Sequence, residues 1–129
     1  MYDIAIIGGG PGGYAAALYA HNFGLSVALI EMDTVGGTCL LRGCIPAKSW
    51  LQAAEVYTTV KESAEFGVVV GEPAFDWGRA LERKNKIVDG LVRGVSGLLK
   101  ARSVDIIPGF GRLGGPGQVA VDIDGGTQN

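Results

Sequence analysis

Sulfur and imidazole are scarce in this chain. Its 129 residues include one histidine, His21, and two cysteines, Cys39 and Cys44, too few for an ordinary four-ligand zinc site. Long hydrophobic runs are missing as well. The first apolar run, Ile4-Ala5-Ile6-Ile7, is closed by glycines and is far too short for a signal-peptide core or a membrane span. Neither sign of charge dominates: 11 Lys and Arg against 13 Asp and Glu give a net charge of −2. That leaves no broad electrostatic footprint for nucleic acid. With 47% hydrophobic and 19% charged residues, a disordered or coiled-coil chain is excluded. There is no Gly-X-Y period, internal repeat or low-complexity tract. What remains is one cytoplasmic domain with a single core, with neither membrane nor nucleic acid among its partners.

Glycine is what the chain has in excess. Its 22 glycines are more than twice the usual share of about 7%. Such a content in a globular chain points to tight turns and to close approach of backbone to a ligand or a neighbouring helix. Residues 2–7 form a short β-branched run ended by Gly8-Gly9-Gly10, a buried-strand signal. Helix-compatible residues follow from Gly13, with Gly24 as the stop, and residues 26–31 read as a second buried strand ending in a carboxylate. Strand, helix and strand at this spacing make a βαβ unit with parallel strands.

Residues 32–43 read as a glycine-punctuated loop. Pro46 suits the first turn of a helix running to about Glu65, and residues 67–75 look irregular. A long helix is expected over residues 76–101, with Ile87, Val88, Leu91, Val92, Val95, Leu98 and Leu99 in helical period. Gly90, Gly94 and Gly97 interrupt it, and close packing against another helix is the expected reason. Residues 104–108 and 118–124 read as two strands joined by a glycine-rich turn.

Gly8-Gly9-Gly10-Pro11-Gly12-Gly13 satisfies G-x-G-x-x-G. Gly8 permits the tight turn, Gly10 leaves room for a pyrophosphate, and Gly13 lets helix and strand approach. The phosphates would lie at the helix N-terminus, where unpaired N–H groups and the dipole favour an anion. Glu31 closes the second strand about twenty residues on, where a carboxylate accepts hydrogen bonds from ribose hydroxyls and repels a 2′-phosphate. The pattern points to a dinucleotide and does not separate FAD from NAD.

The stretch Gly36-Gly37-Thr38-Cys39-Leu40-Leu41-Arg42-Gly43-Cys44-Ile45-Pro46-Ala47-Lys48 holds both thiols. A helix N-terminus at Cys44 would stabilise its thiolate, and Cys39, back in the loop, is near enough to pair with it. A redox dithiol, a short structural bridge and two inert thiols all stay open on spacing alone.

Residues 36–48 closely resemble the redox-disulfide motif of the flavin-dependent pyridine nucleotide–disulfide oxidoreductases. Within that family, Gly-Pro-Gly-Gly-Tyr at 10–14 and Cys-Ile-Pro at 44–46 are most similar to the dihydrolipoamide dehydrogenases. The resemblance continues through Phe66-Gly67, Gly71-Glu72-Pro73, the glycine-bearing helix and Gly109-Phe110-Gly111-Arg112. Leu41-Arg42 and Ala47 depart from the usual Asn-Val and serine, and neither change removes a reacting atom.

This resemblance implies an α/β fold: the first segment of a Rossmann-like FAD-binding domain, a parallel sheet with helices and a short antiparallel β element near the C-terminus. It implies FAD as cofactor. Gly8, Gly10, Pro11, Gly12 and Gly13, with Gly37 and Thr38, would surround the pyrophosphate. Glu31 would hold the adenosine ribose, Gly111 would lie near the adenine and Lys48 by the flavin ring. Cys44 would be the charge-transfer thiolate and Cys39 the interchange thiol. Electrons would pass from dihydrolipoamide to the disulfide, to FAD and on to NAD+.

Residues 1–129 are expected to be the N-terminal part of the FAD-binding domain, lacking the NAD and dimer-interface domains and inactive alone. No second G-x-G-x-x-G that opens a helix is found for NAD, since Gly109-Phe110-Gly111-Arg112-Leu113-Gly114 runs on towards a predicted strand, and His21 reads as a surface residue and not the family's base. The parent is expected to be a homodimer, taking dihydrolipoamide from a lipoyl domain of a 2-oxo acid dehydrogenase complex. A portion of a mercuric or glutathione reductase, and a stand-alone dinucleotide-binding redox module, are the alternatives.

Overall fold

In a computed structural model, which describes residues 1–123 and 126–128, the strand β2 (Val27–Glu31) is the centre of the molecule. It pairs in parallel with β1 (Ile4–Ile7) on one side and β3 (Asp105–Pro108) on the other. Its residues are buried on both faces, as a middle strand of Val, Ala, Leu and Ile should be. By the two-residue period, Val27 and Leu29 face one layer, with Ala17 and Ala20 of helix α1 (Pro11–His21) and Leu99 of helix α4 (Trp77–Ala101). Ala28 and Ile30 face the other, against Val121. Burying a side chain such as Leu29 or Leu99 stabilises by about 1.5–3 kcal/mol.

Parallel pairing across the first helix agrees with the expected βαβ unit. The first strand differs: it was read as buried, yet its burial alternates and Ile7 is 44% exposed. The reason is position, since β1 lies at the edge of the sheet order β1-β2-β3. The helix after the loop starts at Pro11, two residues before Gly13, because a proline N1 needs no intrahelical donor. It ends at His21, which is half-buried, and residues 22–24 turn the chain, with Gly24 at φ +72°.

Two further helices fill the middle of the chain: α2 (Gly37–Leu41), where a loop was expected, and α3 (Cys44–Glu62). A 3-10 turn, Ser63–Phe66, carries α3 to about its expected end. Irregular chain then runs to Asp76, whose side chain accepts the Arg79 N–H at 3.0 Å and caps α4. Arg83 Nη1 donates to the buried Ser49 Oγ at 3.1 Å, tying α4 to α3.

The reading of the α4 glycines is overturned. Val88, Val95 and Leu99 face the core, while a Cβ at Gly90, Gly94 or Gly97 would meet nothing within 4 Å. These three lie on the open side of the helix. Sequence period identified the apolar stripe but could not tell which side of it was covered.

The C-terminal reading also needs correction. β3 joins the parallel sheet, whereas β5 (Gln118–Ile123) lies in a second sheet, so the two are not neighbours. The intervening residues are themselves a strand, β4 (Phe110–Gly115), antiparallel to β5. Glycines at 111, 114 and 115 had hidden it, and pairing supplies what propensity lacks. Gly109, at φ +145°, makes the change of sheet, and a Cβ there would stand 2.7 Å from the Asp122 carbonyl oxygen. Arg112 holds the Asp122 carboxylate in a two-pronged pair at 3.1 and 3.0 Å. β6 (Gly126–Gln128) adds a third antiparallel strand, and Asp124, the last residue of the expected strand, lies outside the described residues. Among the described residues, no helix is long and apolar enough to cross a membrane.

Candidate functional site

Gly8 leaves β1 with φ +98°, and its N–H donates to the Ile30 carbonyl at 2.8 Å. That conformation is open to glycine at little cost and strains other residues. The chain then passes over the carboxyl ends of β1 and β2, the side on which open α/β sheets bind ligands. A Cβ on Gly13 would overlap the Gly8 carbonyl group, so helix and strand approach as closely as the sequence pattern required. Gly10 is the N-cap of α1, with no side chain capping the first-turn N–H groups, and Gly12 faces open space. Those groups are available to an anion, and the dipole favours one.

Glu31 is held beside this loop. Its Oε2 accepts the Gly9 N–H at 2.7 Å and its Oε1 accepts the Asp33 N–H at 2.8 Å. Next to it is a cavity of about 190 Å³ lined by Ile7, Gly8, Ile30, Glu31, Met32, Gly109, Phe110 and Gly111. Gly8, Glu31 and Gly111, far apart in sequence, therefore share one pocket. Gly111 is small for a packing reason: its Cβ would stand 3.0 Å from Ile30 Cγ2 and 3.1 Å from Ile7 Cγ2. Sequence reasoning missed Met32 and Phe110 in this wall. Adjacency to Glu31 and to Gly111 was the signal that could have found them.

Cys39 lies half-buried in α2 and Cys44 lies exposed as the first residue of α3, and a disulfide joins them across a Cα–Cα distance of 4.7 Å. Cys39 is thus helical and not in the loop where it was expected. Gly43 makes the junction possible, since a Cβ there would stand 2.9 Å from the Thr38 carbonyl oxygen. Arg42, between the cysteines, reaches back to Asp33 with Nη2 2.6 Å from Oδ2. The hydrogen bond from this guanidinium, and then its charge, hold the Asp33 carboxyl below its ordinary range.

Thr38 is exposed beside Gly37, at the α2 end nearest the phosphate loop. Lys48 is exposed on α3, about one helical turn beyond Cys44. Further along α3 an apolar groove of about 550 Å³ is lined by Ala47, Trp50, Leu51, Tyr57, Phe75 and Trp77, among others. Phe75 and Trp77 meet edge to face at 4.8 Å. No motif in the sequence announced this groove.

Chemically, the site offers an anion cradle, a carboxylate beside it and an exchangeable disulfide. Glycine loop, uncapped helix start and a carboxylate beside the cavity are the donor and acceptor set that a dinucleotide calls for.

Comparison with known proteins agrees with this arrangement. A dihydrolipoyl dehydrogenase of Acholeplasma laidlawii is 48% identical over 122 residues, covering 94% of this chain and 36% of that protein. The dihydrolipoyl dehydrogenase of Bacillus subtilis (strain 168) is 41% identical over 135 residues, covering 99% of this chain and 28% of that protein. Among solved structures, the Cu(II) complex of HOCl-induced flavoprotein disulfide reductase RclA from Escherichia coli is similar with a TM-score of 0.74 and 28% identity. That likeness covers 98% of this chain and 26% of the other. The chain thus spans only part of the length of these relatives. The pattern described as "Pyridine nucleotide-disulphide oxidoreductase" matches residues 2–127, and the chain belongs to that family.

Proposed function

We propose that residues 1–129 are the FAD-binding, disulfide-bearing N-terminal part of a dihydrolipoamide dehydrogenase. The observation that carries the reading is the Cys39–Cys44 disulfide, which joins the start of α3 to α2, the helix laid directly against the glycine loop. Gly8, Gly10, Pro11, Gly12 and Gly13, with Gly37 and Thr38, would hold the pyrophosphate. Glu31 and Gly111 would flank the adenosine, and Lys48 would lend a cation to the flavin ring.

A thiolate of dihydrolipoamide attacks Cys39 Sγ, forming a substrate–Cys39 bond and releasing Cys44 as thiolate. The second substrate thiol loses its proton and attacks the substrate sulfur of that mixed disulfide. Cyclic lipoamide leaves, and Cys39 takes up a proton. The substrate dithiol is oxidised by two electrons and the protein disulfide is reduced by two. The N-terminus of α3 stabilises the Cys44 thiolate, which favours Cys44 as the leaving sulfur. FAD, when bound, supplies the two-electron acceptor that passes the pair as hydride to NAD+.

The reading carries with it a cytoplasmic homodimer served by a lipoyl domain of a 2-oxo acid dehydrogenase complex. A reducing compartment keeps such a thiol pair exchangeable. The test uses the full-length protein. Purified protein should carry flavin and reduce NAD+ with dihydrolipoamide. Cys44→Ser should lose the thiolate-to-flavin charge-transfer absorbance, and Cys39→Ser should keep it. A band that survives in Cys44→Ser would reverse the assignment of the two thiols, and protein without flavin would end the reading.

A further inference from the structure

The disulfide-bearing helix meets the phosphate loop backbone to backbone. The Gly36 N–H donates to the Gly9 carbonyl oxygen at 2.8 Å. Gly37 sits at φ +60°, and a Cβ there would stand 2.5 Å from Gly10 Cα, 3.2 Å from Gly10 N and 3.7 Å from Pro11 Cδ. Viewed from the other side, a Cβ on Gly10 would have Gly37 Cα as its nearest neighbour, at 3.8 Å. At the far end of α2, Gly43 brings the Thr38 carbonyl and Cys39 against the start of α3. Loop, α2 and α3 are thus stacked through glycines, with no side chain between loop and α2 to act as an adjustable spacer.

We infer that Gly37 is a positioning residue. Its contact with Gly10 sets how far the Cys39–Cys44 pair stands from whatever the Gly8–Gly13 loop binds. The contact runs from position 37 onto the Gly10 backbone, so the loop that would take a pyrophosphate is also the seat of the redox helix. Any side chain at position 37 must push α2 outward or deform the loop, since the two nearest atoms it meets are Gly10 backbone and the third belongs to the Pro11 ring, and none of them can rotate away. An outward shift of α2 carries Cys39 with it and, through the close contact of Gly43 with Thr38 and Cys39, which does not depend on the disulfide, Cys44 as well. The inference rests on the flavin reading above.

The experiment uses the full-length protein and compares Gly37→Ala with Gly36→Ala. Both positions have positive φ, but a Cβ on Gly36 would press on the flexible Leu40 side chain at 3.1 Å and not on the loop. Measured per bound flavin, Gly37→Ala should lose most of the charge-transfer absorbance of the two-electron-reduced protein. Its kcat for dihydrolipoamide oxidation should fall at least about tenfold with KM for NAD+ unchanged, the signature of a misplaced reacting group. Gly36→Ala should keep the band even if its melting temperature falls.

Should Gly37→Ala not fold, Gly37→Asn keeps the added Cβ while tolerating the left-handed backbone, and the same loss is expected of it. An unchanged band and kcat in the position-37 variants would overturn the inference and leave the flavin reading standing. So would equal loss in Gly36→Ala, or a Gly37→Ala protein that sheds flavin yet keeps the full band on the flavin it retains, because the contact would then serve the pocket and not the thiols. Wild-type protein without flavin would instead bring down the underlying reading.

Discussion

Glycine does opposite things in two regions of this molecule. Around the loop and the disulfide, Gly13, Gly37 and Gly43 each face backbone so closely that a single methyl group has nowhere to go. Along α4, Gly90, Gly94 and Gly97 face nothing, and their helix gives up about 1 kcal/mol of propensity at each. The first set holds three backbone segments together at one site. The second leaves a helix side open, beside Leu91 and Leu98, which are 41% and 54% exposed. The same residue type therefore marks a geometric requirement in one place and an uncovered surface in the other, and only the neighbours tell them apart.

Substitutions can break that contrast. The largest effect is expected at Gly13→Ala, where the methyl overlaps the Gly8 carbonyl group. Stability should fall by about 3 kcal/mol in urea unfolding, with flavin binding lost as the loop is displaced. Asp76→Ala removes the cap of α4 and should cost about 1 kcal/mol in the same measurement, without touching the loop. Gly94→Ala should move the other way, adding up to about 1 kcal/mol in this chain, because the space is open and alanine is the better helix former. A loss of stability at Gly94→Ala would show that the α4 glycines are packed after all.

The smallest effect concerns Arg42 and Asp33, whose side chains are 67% and 45% exposed. Folding depresses the Asp33 pKa, so its contribution is present above the ordinary value of 3.8 and disappears as pH falls through the lower folded value. Arg42→Ala should therefore be slightly less stable than the parent near neutral pH. The difference should close in acid, in unfolding curves recorded from pH 7 downward. A gap that stays constant with pH would assign the effect to something other than the carboxylate.

Much of the candidate site was legible because its signals are local. A β-branched run followed by glycines, a proline and then small residues can be read without knowing what lies opposite. Asp76 before an amphipathic stretch announces a helix start in the same way. The spacing of the two cysteines left their state open and the family resemblance of residues 36–48 implied the disulfide, while the helix N-terminus at Cys44 was placed correctly. Position 39 was missed because α2 is a five-residue helix built on three-dimensional support, too short to show a period. β4 was missed because its glycines argue against a strand until β5 is placed beside it.

By itself, then, the sequence determined the βαβ opening, the glycine loop, the carboxylate that ends the second strand, the two thiols and the long amphipathic helix, since each depends on residues near one another in the chain. Tertiary structure alone decided that β3 closes the parallel sheet, that Gly109 passes the chain to a second sheet, and that Gly111 shares a pocket with Glu31. It also decided which glycines are indispensable. Strand partnership and the space around a missing Cβ are properties of pairs of segments, and nothing in either segment alone records the distance between them.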